Sequence, residues 1–129
     1  MTQTVLFKGK PIELSGEIPA VGSAAPDFKL TSDKLESLTL ASFAGKVKVL
    51  TLNPSVDTSV CAATLRAFNV KAAGLADTVV IAISGDLPFA LKRFCAAEGI
   101  AGVVATSTVR DPGFGDRYEI GRASCRERV

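Results

Sequence analysis

The chain has 129 residues, 47% hydrophobic and 22% charged, a balance that favours one globular domain over a disordered or fibrous segment. The net charge of +2 gives no reason to expect a nucleic acid or a membrane as partner, and no apolar run approaches the ~18 residues of a membrane helix. The sequence has no histidine, which excludes Ser-His-Asp and Cys-His catalysis and histidine-ligated metals.

The first third of the chain predicts a hairpin, a short strand and one helical turn. Two apolar runs flank residues 8–10 within the segment 4–14, which is typical of a small β-hairpin. Residues 18–30 are rich in Pro, Gly and Ala and then extended, which indicates a loop leading into a short strand. Residues 38–46 are consistent with one helical turn that ends at Gly45.

Three later segments predict strands. Val47 to Asn53 and Thr78 to Ser84 are apolar at most positions, as strands covered on both faces would be. Residues 102–110 predict a third, shorter strand. Because a long segment separates each strand from the next, the three strands can pair in parallel.

The two separating segments predict helices. Apolar residues recur every three or four positions within 61–75, and they are Leu65, Phe68, Ala72 and Leu75. Residues 87–99 place Pro88 in a first turn and Gly99 at a helix end. The order of elements therefore predicts an α/β domain with right-handed crossovers and with helices on both faces of the sheet.

The sequence Asn-Pro-Ser-Val-Asp-Thr-Ser-Val-Cys, ending at Cys61, suggests a reactive cysteine. Its strand brings the chain to the carboxyl edge of the sheet, where sites of open α/β folds gather, and Pro54 then forces a turn. Cys61 falls near the first turn of the next helix, whose unpaired amides and dipole stabilise a thiolate. Thr58 can donate a hydrogen bond to that thiolate or to a bound oxygen, and Thr58 or Ser59 can cap the helix. By position alone, a small buried hydrophobic role for Cys61 is an equally good interpretation.

The other cysteines are Cys95 and Cys125, and none of the three forms a C-x-x-C pair. Cys95 lies among apolar residues inside the second predicted helix, as a core residue would. It is also a candidate partner for Cys61, because a sulfenic acid needs a second thiol to become a disulfide. A disulfide needs Cα atoms within ~7 Å, whereas packed helices lie about 8–10 Å apart. We therefore expect the reduced sulfurs to be apart and part of one helix to unwind for the bond to form.

Three segments carry a resemblance to a known family: PSVDTSVC (54–61), AISGDLPFALKRFCAAEG (82–99) and TSTVRDPGF (106–114). Together with the N-terminal hairpin, they resemble the bacterial thiol peroxidases, which are atypical two-cysteine peroxiredoxins with a thioredoxin-like fold. The similarity runs from about Thr4 to Tyr118. The P-x-x-x-T-x-x-C element is shared by peroxiredoxins generally, and the S-x-D-L-P-F-A…R-F-C segment is specific to this branch.

The resemblance implies a role for each matching residue. Cys61 would be the peroxidatic cysteine, which attacks the O–O bond of hydrogen peroxide or an organic hydroperoxide. Thr58 would hold the peroxide and the thiolate, and Pro54 would shield the pocket from water. Cys95 would be the resolving cysteine, forming an intramolecular disulfide that thioredoxin reduces. The resemblance also implies a homodimer at full length and neither metal nor cofactor.

The resemblance ends before the family pattern does. That pattern continues with an arginine in a later strand, a further strand and a C-terminal helix, and no residue here matches the arginine. We expect residues 1–118 to form an incomplete peroxiredoxin domain of low stability and weak activity. Residues 119–129 continue no periodic pattern, and we expect them to be a non-native tail encoded by adapter sequence, in which Cys125 has no role. Sequencing the intact gene tests this expectation.

Two alternatives to an active peroxidase stay open: a thioredoxin-fold redox sensor or binding module, and an inactive fragment. The complete PSVDTSVC element favours catalysis, because a sensor needs no threonine and proline to shape a peroxide pocket. The missing arginine favours the alternatives. Because the N-terminus has no signal-peptide pattern, we expect a cytoplasmic protein, although the family also has periplasmic members. The preferred peroxide and the oligomeric state are open.

Overall fold

The computed structural model describes residues 3–15, 20–53, 55–114, 118 and 121–122. They fall into two compact units, residues 28–111 and a smaller unit built from the chain up to residue 27 and from residue 112 onward. No helix among the described residues has the length and the apolar composition to cross a membrane.

Strands and helices alternate between residues 40 and 107, after an N-terminal hairpin and two short strands. In order they are β1 (Gln3–Phe7), β2 (Lys10–Ser15), β3 (Leu30–Ser32), β4 (Ser37–Leu38), a 3₁₀ helix (Leu40–Phe43), β5 (Val47–Leu52), α1 (Ser59–Ala72), β6 (Thr78–Ser84), α2 (Pro88–Glu98), β7 (Val103–Ser107) and β8 (Gly121–Arg122).

The smaller unit contains the predicted hairpin. Strands β1 and β2 pair antiparallel, and the turn at Lys8 and Gly9 has positive φ angles of 51° and 79°, which suit a tight hairpin turn. Strand β8 pairs with β2 through Leu14 and Arg122. It lies in the segment 119–129, and the boundary at residue 118 stays a prediction.

The larger unit is built on a five-stranded sheet in the order β4-β3-β7-β6-β5. Strands β5, β6 and β7 are parallel to one another, which confirms the predicted parallel pairing. Strand β3 runs antiparallel to β7, and β4 runs antiparallel to β3. The sequence does not reveal β4, because two residues are too few to show an alternating pattern.

Helices α1 and α2 pack on the same face of this sheet. Leu65 of α1 and Leu91 of α2 join one buried cluster with Val80 and Val103, which are register partners on β6 and β7. The prediction of helices on both faces is therefore wrong for α1 and α2. The chain crosses the sheet in one direction, from β5 to β6 to β7, and successive right-handed crossovers in one direction lie on the same side.

The sheet order also decides which strands are buried. Strand β6 lies inside the sheet, and its residues 80–84 are all buried, as predicted. Strand β5 lies at the edge, so the prediction that it is covered on both faces is wrong, and Val47 is 64% exposed. The prediction that Leu75 lies on the apolar face of the first helix is also wrong, because α1 ends at Ala72 and Leu75 is exposed.

Candidate active site

Cys61 lies in the first turn of α1, at the carboxyl edge of the parallel strands. Thr58 has the extended backbone of a helix N-cap, with φ −85° and ψ 143°, so Cys61 is the third helical residue. The side chain is a free thiol and the residue is only 8% exposed. The amides of a first helical turn have no intrahelical acceptor, so the positive end of α1 lies beside this cysteine.

A tight turn at Ser55 sets the start of α1. The carbonyl of Ser55 accepts hydrogen bonds from the Thr58 backbone N–H at 3.2 Å and from the Thr58 hydroxyl at 3.0 Å. Thr58 thus occupies the N-cap position without a side-chain cap hydrogen bond. Its single hydroxyl proton is bound to Ser55 and not to the Cys61 sulfur, contrary to expectation, which leaves its oxygen as an acceptor.

The carboxylate of Asp86 holds this turn from the neighbouring strand connection. One oxygen accepts from the Ser55 hydroxyl at 2.7 Å, and the other accepts from the Val56 backbone N–H at 2.8 Å and the Ser84 hydroxyl at 2.9 Å. Ser84 ends β6, and Asp86 lies between β6 and α2. Two connections that follow adjacent parallel strands are therefore tied together at one edge of the sheet.

Sequence reasoning missed Asp86. A signal was present, since an acidic residue lies between a predicted strand and the Leu87-Pro88 start of a predicted helix, at the sheet edge that also receives the Cys61 loop. The motif S-x-D-L-P contains the residue, but the sequence pattern does not reveal which backbone and hydroxyl groups its carboxylate binds.

Cys95 is a free, half-buried thiol on α2. It packs against the cluster that contains Leu65 and Leu91, and it lines a cavity of about 380 Å³ together with Asp33 and Phe43. Burial raises the pKa of the Cys95 thiol, and the negative charge of Asp33 raises it further. Cys95 therefore resists ionisation at neutral pH.

Two contacts join the helices that carry the cysteines. Arg66 of α1 forms an ion pair with Glu98 of α2 at 3.5 Å, so Arg66 is paired although its side chain is half exposed. The side-chain oxygen of Asn69 accepts from the backbone N–H groups of Ala101 at 3.1 Å and Gly102 at 2.6 Å, just beyond α2. Cys61 and Cys95 are thus on neighbouring, tied helices and are both reduced.

Two residues from the sequence analysis, Pro54 and Cys125, lie outside the described residues. Of the remaining residues, Thr58 is the N-cap of α1 and Cys61 lies in the first turn of that helix. Cys95 lies on the adjacent helix, α2. Among the residues with described positions, no group of three or more cysteine or acidic side chains is arranged to hold a metal ion.

Comparisons with known proteins agree on one family. Residues 20–126 match the Redoxin family. Two thiol peroxidases of Leptospira interrogans serogroup Icterohaemorrhagiae, from serovars copenhageni and Lai, are each 49% identical over 116 residues, which covers 88% of this chain and 68% of theirs.

Solved structures show the same relationship. A peroxiredoxin-like protein from Aquifex aeolicus is 34% identical with a TM-score of 0.81, and the match covers 93% of this chain and 69% of that one. A thiol peroxidase from Chromobacterium violaceum is 25% identical with a TM-score of 0.83, over 92% of this chain and 69% of that one. The chain has the thioredoxin-like fold of these proteins. It belongs to the redoxin family, in the thiol peroxidase branch, and is a peroxidase of the peroxiredoxin type.

Proposed function

We propose that Cys61 is the peroxidatic cysteine of this peroxidase and that Cys95 is the resolving cysteine. The observation that carries the proposal is the placement of Cys61 in the first turn of α1, with a second free thiol on the adjacent helix. A thiolate is the nucleophilic form of cysteine, and a helix N-terminus favours it.

In the first step the Cys61 thiolate attacks the terminal oxygen of a hydroperoxide. An S–O bond forms, the O–O bond breaks, sulfur is oxidised by two electrons to a sulfenic acid as the peroxide is reduced, and the alkoxide or hydroxide takes a proton from water and leaves as alcohol or water. Unpaired amides of the helix end stabilise the negative charge during transfer. Thr58, whose hydroxyl donates to Ser55, accepts a hydrogen bond from the peroxide O–H and so orients it.

In the second step Cys95 attacks the sulfenic sulfur. The S–S bond forms, the S–O bond breaks, and the thiol proton leaves with the hydroxyl group as water. The raised pKa of Cys95 keeps this cysteine as a thiol until then, so it does not compete with Cys61 for peroxide. The two tied helices must open locally for the sulfurs to meet, because packed helices hold their axes about 8–10 Å apart.

The rest of the proposal rests on resemblance. Pro54 shields the sulfur from water, thioredoxin reduces the Cys61–Cys95 disulfide, the full-length protein is a homodimer, and the protein works in the cytoplasm without metal or cofactor. Hydrogen peroxide and organic hydroperoxides are the substrate class. The sequence PSVDTSVC and the thiol peroxidase relatives support the hydroperoxide substrate class and a thiol reductant.

Peroxide consumption tests the assignment, measured with NADPH, thioredoxin reductase and thioredoxin in a Cys125→Ser background. Cys61→Ser should abolish consumption. Cys95→Ser should allow one turnover, with a sulfenic acid on Cys61 detected by mass spectrometry, and should then stop. Turnover that survives Cys61→Ser would overturn the proposal. A disulfide that forms but that thioredoxin does not reduce would leave the roles of the cysteines intact and exclude thioredoxin as the reductant.

A further inference from the structure

We propose that Asp86 is a positioning residue that holds the Cys61 loop in its peroxide-reactive conformation and must release it before the disulfide forms. This inference rests on the proposed roles of Cys61 and Cys95. We use the name Asp86 clasp for the three hydrogen bonds that the carboxylate accepts from the Ser55 hydroxyl, the Val56 backbone N–H and the Ser84 hydroxyl.

The Asp86 clasp is connected to Cys61 through a short series of contacts. Asp86 accepts hydrogen bonds from the Ser55 hydroxyl and the Val56 backbone N–H. The Ser55 carbonyl in turn accepts from both the N–H and the hydroxyl of Thr58. Thr58 is the N-cap of α1, and Cys61 is three residues further along. Hydrogen bonds to a charged acceptor are about twice as strong as those between neutral groups. The carboxylate thus fixes where the first turn of α1 begins.

The Asp86 clasp also opposes the disulfide. Asp86 belongs to the connection into α2, the helix that carries Cys95, so its carboxylate joins the start of one cysteine-bearing helix to the approach of the other. For the sulfurs to meet, the first turn of α1 or part of α2 must move. A contact that aligns Cys61 for the first step therefore slows the second.

The effect of the clasp on the second step can be measured from the oxidation products of Cys61. A Cys61 sulfenic acid has two fates. Attack by Cys95 forms a disulfide and water. Attack by the sulfenate on a second hydroperoxide forms a second S–O bond, breaks the O–O bond, and yields a sulfinic acid and an alcohol or water. Slow release of the clasp lengthens the life of the sulfenic acid and favours the sulfinic product.

Asp86→Asn is the decisive variant, because it keeps the shape but replaces one acceptor oxygen with an N–H donor that faces other donors. Quenched-flow mass spectrometry in a Cys125→Ser background would follow Cys61 as thiol, sulfenic acid, disulfide and sulfinic acid. We expect oxidation of Cys61 by hydrogen peroxide to slow by about tenfold, as loss of a charged hydrogen-bond partner does. We expect disulfide formation to accelerate and the sulfinic fraction at high peroxide to fall.

Asn69→Ala is the matched control. It removes two accepted hydrogen bonds between α1 and the segment after α2, but it leaves the Cys61 loop untouched. Its Cys61 oxidation rate should equal that of the parent protein. If Asn69→Ala slows oxidation as much as Asp86→Asn does, the effect of Asp86 is general destabilisation and the proposal is overturned.

Ser55→Ala provides a milder test in case Asp86→Asn does not fold. It removes one of the three donors and should move both rates in the same directions by less. Combined with Asp86→Asn, it should add less than its separate effect, because both changes break the same contact. If the parent Cys61 is never oxidised, the proposed function fails. If the parent is oxidised normally and neither variant alters either step, only the role of Asp86 fails.

Discussion

Cys61 and Cys95 have the same side chain in two different electrostatic environments. Cys61 lies at the positive end of α1, just after a turn in which the hydroxyl and the backbone N–H of Thr58 both donate to the Ser55 carbonyl. Cys95 lies within α2, half-buried, and faces the carboxylate of Asp33. Helix N-termini in general favour negative charge, whereas burial beside a carboxylate disfavours it at Cys95, and this difference agrees with the roles that we propose for the two cysteines.

The pH dependence of Cys95 alkylation tests this difference. Because its pKa lies above the ordinary thiol value of 9.0, the folded protein should react with iodoacetamide more slowly than the unfolded chain at about pH 8. A Cys61→Ser, Cys125→Ser background isolates this thiol for mass spectrometry. Asp33→Asn should shift the alkylation profile part of the way to lower pH, since burial is the larger cause.

Glu36→Gln is the control for this experiment, because Glu36 lines the same cavity but is not among the causes of the shift. An equal shift in both variants would contradict a specific effect of Asp33. Because the unfolded chain loses the Cys95 proton at a lower pH than the folded protein does, the free energy of unfolding should fall as the pH rises from about 9 through the folded pKa.

At the scale of elements, α1 and α2 are held against the sheet by apolar packing and against each other by a close backbone approach. Asn69 binds the backbone of Gly102, and a Cβ at Gly102 would lie 3.1 Å from both the backbone and the side-chain oxygen of Asn69. Glycine is favoured there by this close approach and not by its backbone conformation, since its φ is not positive.

Gly102→Ala should therefore destabilise the protein by about 1–3 kcal/mol, the usual cost of overpacking a well-fitted contact. Urea unfolding followed by far-UV circular dichroism measures this loss. Gly74→Ala is the matched control, because its Cβ would meet only the Lys71 carbonyl oxygen at an ordinary 3.8 Å. That control should be neutral or slightly stabilising. Equal losses in the two variants would contradict a role for the Asn69 contact.

At the scale of the whole molecule, the proposed Cys61–Cys95 disulfide requires the packing of the larger unit to change. Leu65 and Leu91 bury α1 and α2 in one cluster, and the Arg66–Glu98 and Asn69–Gly102 contacts hold the helices side by side. The reduced form keeps both thiols free. The catalytic cycle that we propose therefore includes a local opening, and its free-energy cost comes from the stability of this cluster.

Hydrogen–deuterium exchange of the reduced and oxidised forms tests this opening. Oxidation with one equivalent of hydrogen peroxide should increase exchange in the first turn of α1, in α2 near Cys95, or in both, while β6 stays protected inside the sheet. The Cys95→Ser variant, which cannot form the bond, should keep the reduced exchange pattern. A Cys61–Cys95 disulfide with unchanged protection in both helices would contradict the requirement for unwinding.

Features that depend on neighbouring residues in the sequence are predicted correctly, whereas features that depend on distant residues are not. The apolar run from Thr78 to Ser84 predicts β6 with its observed bounds, and Pro88 and Gly99 mark where α2 begins and ends. The exposure of Val47 could not be predicted in this way, because it depends on β5 being the last strand of the sheet.

The sequence alone determined the helices, the longer strands, the family and the cysteine in a first helical turn, because periodicity, turn residues and motifs act over a few neighbouring positions. Only the tertiary structure decided that α1 and α2 share one face, that the Thr58 proton is bound to Ser55, and that Asp86 holds the Cys61 loop. The physical reason is that the loop and Asp86 are 30 positions apart along the chain and meet only through the pairing of β5 with β6.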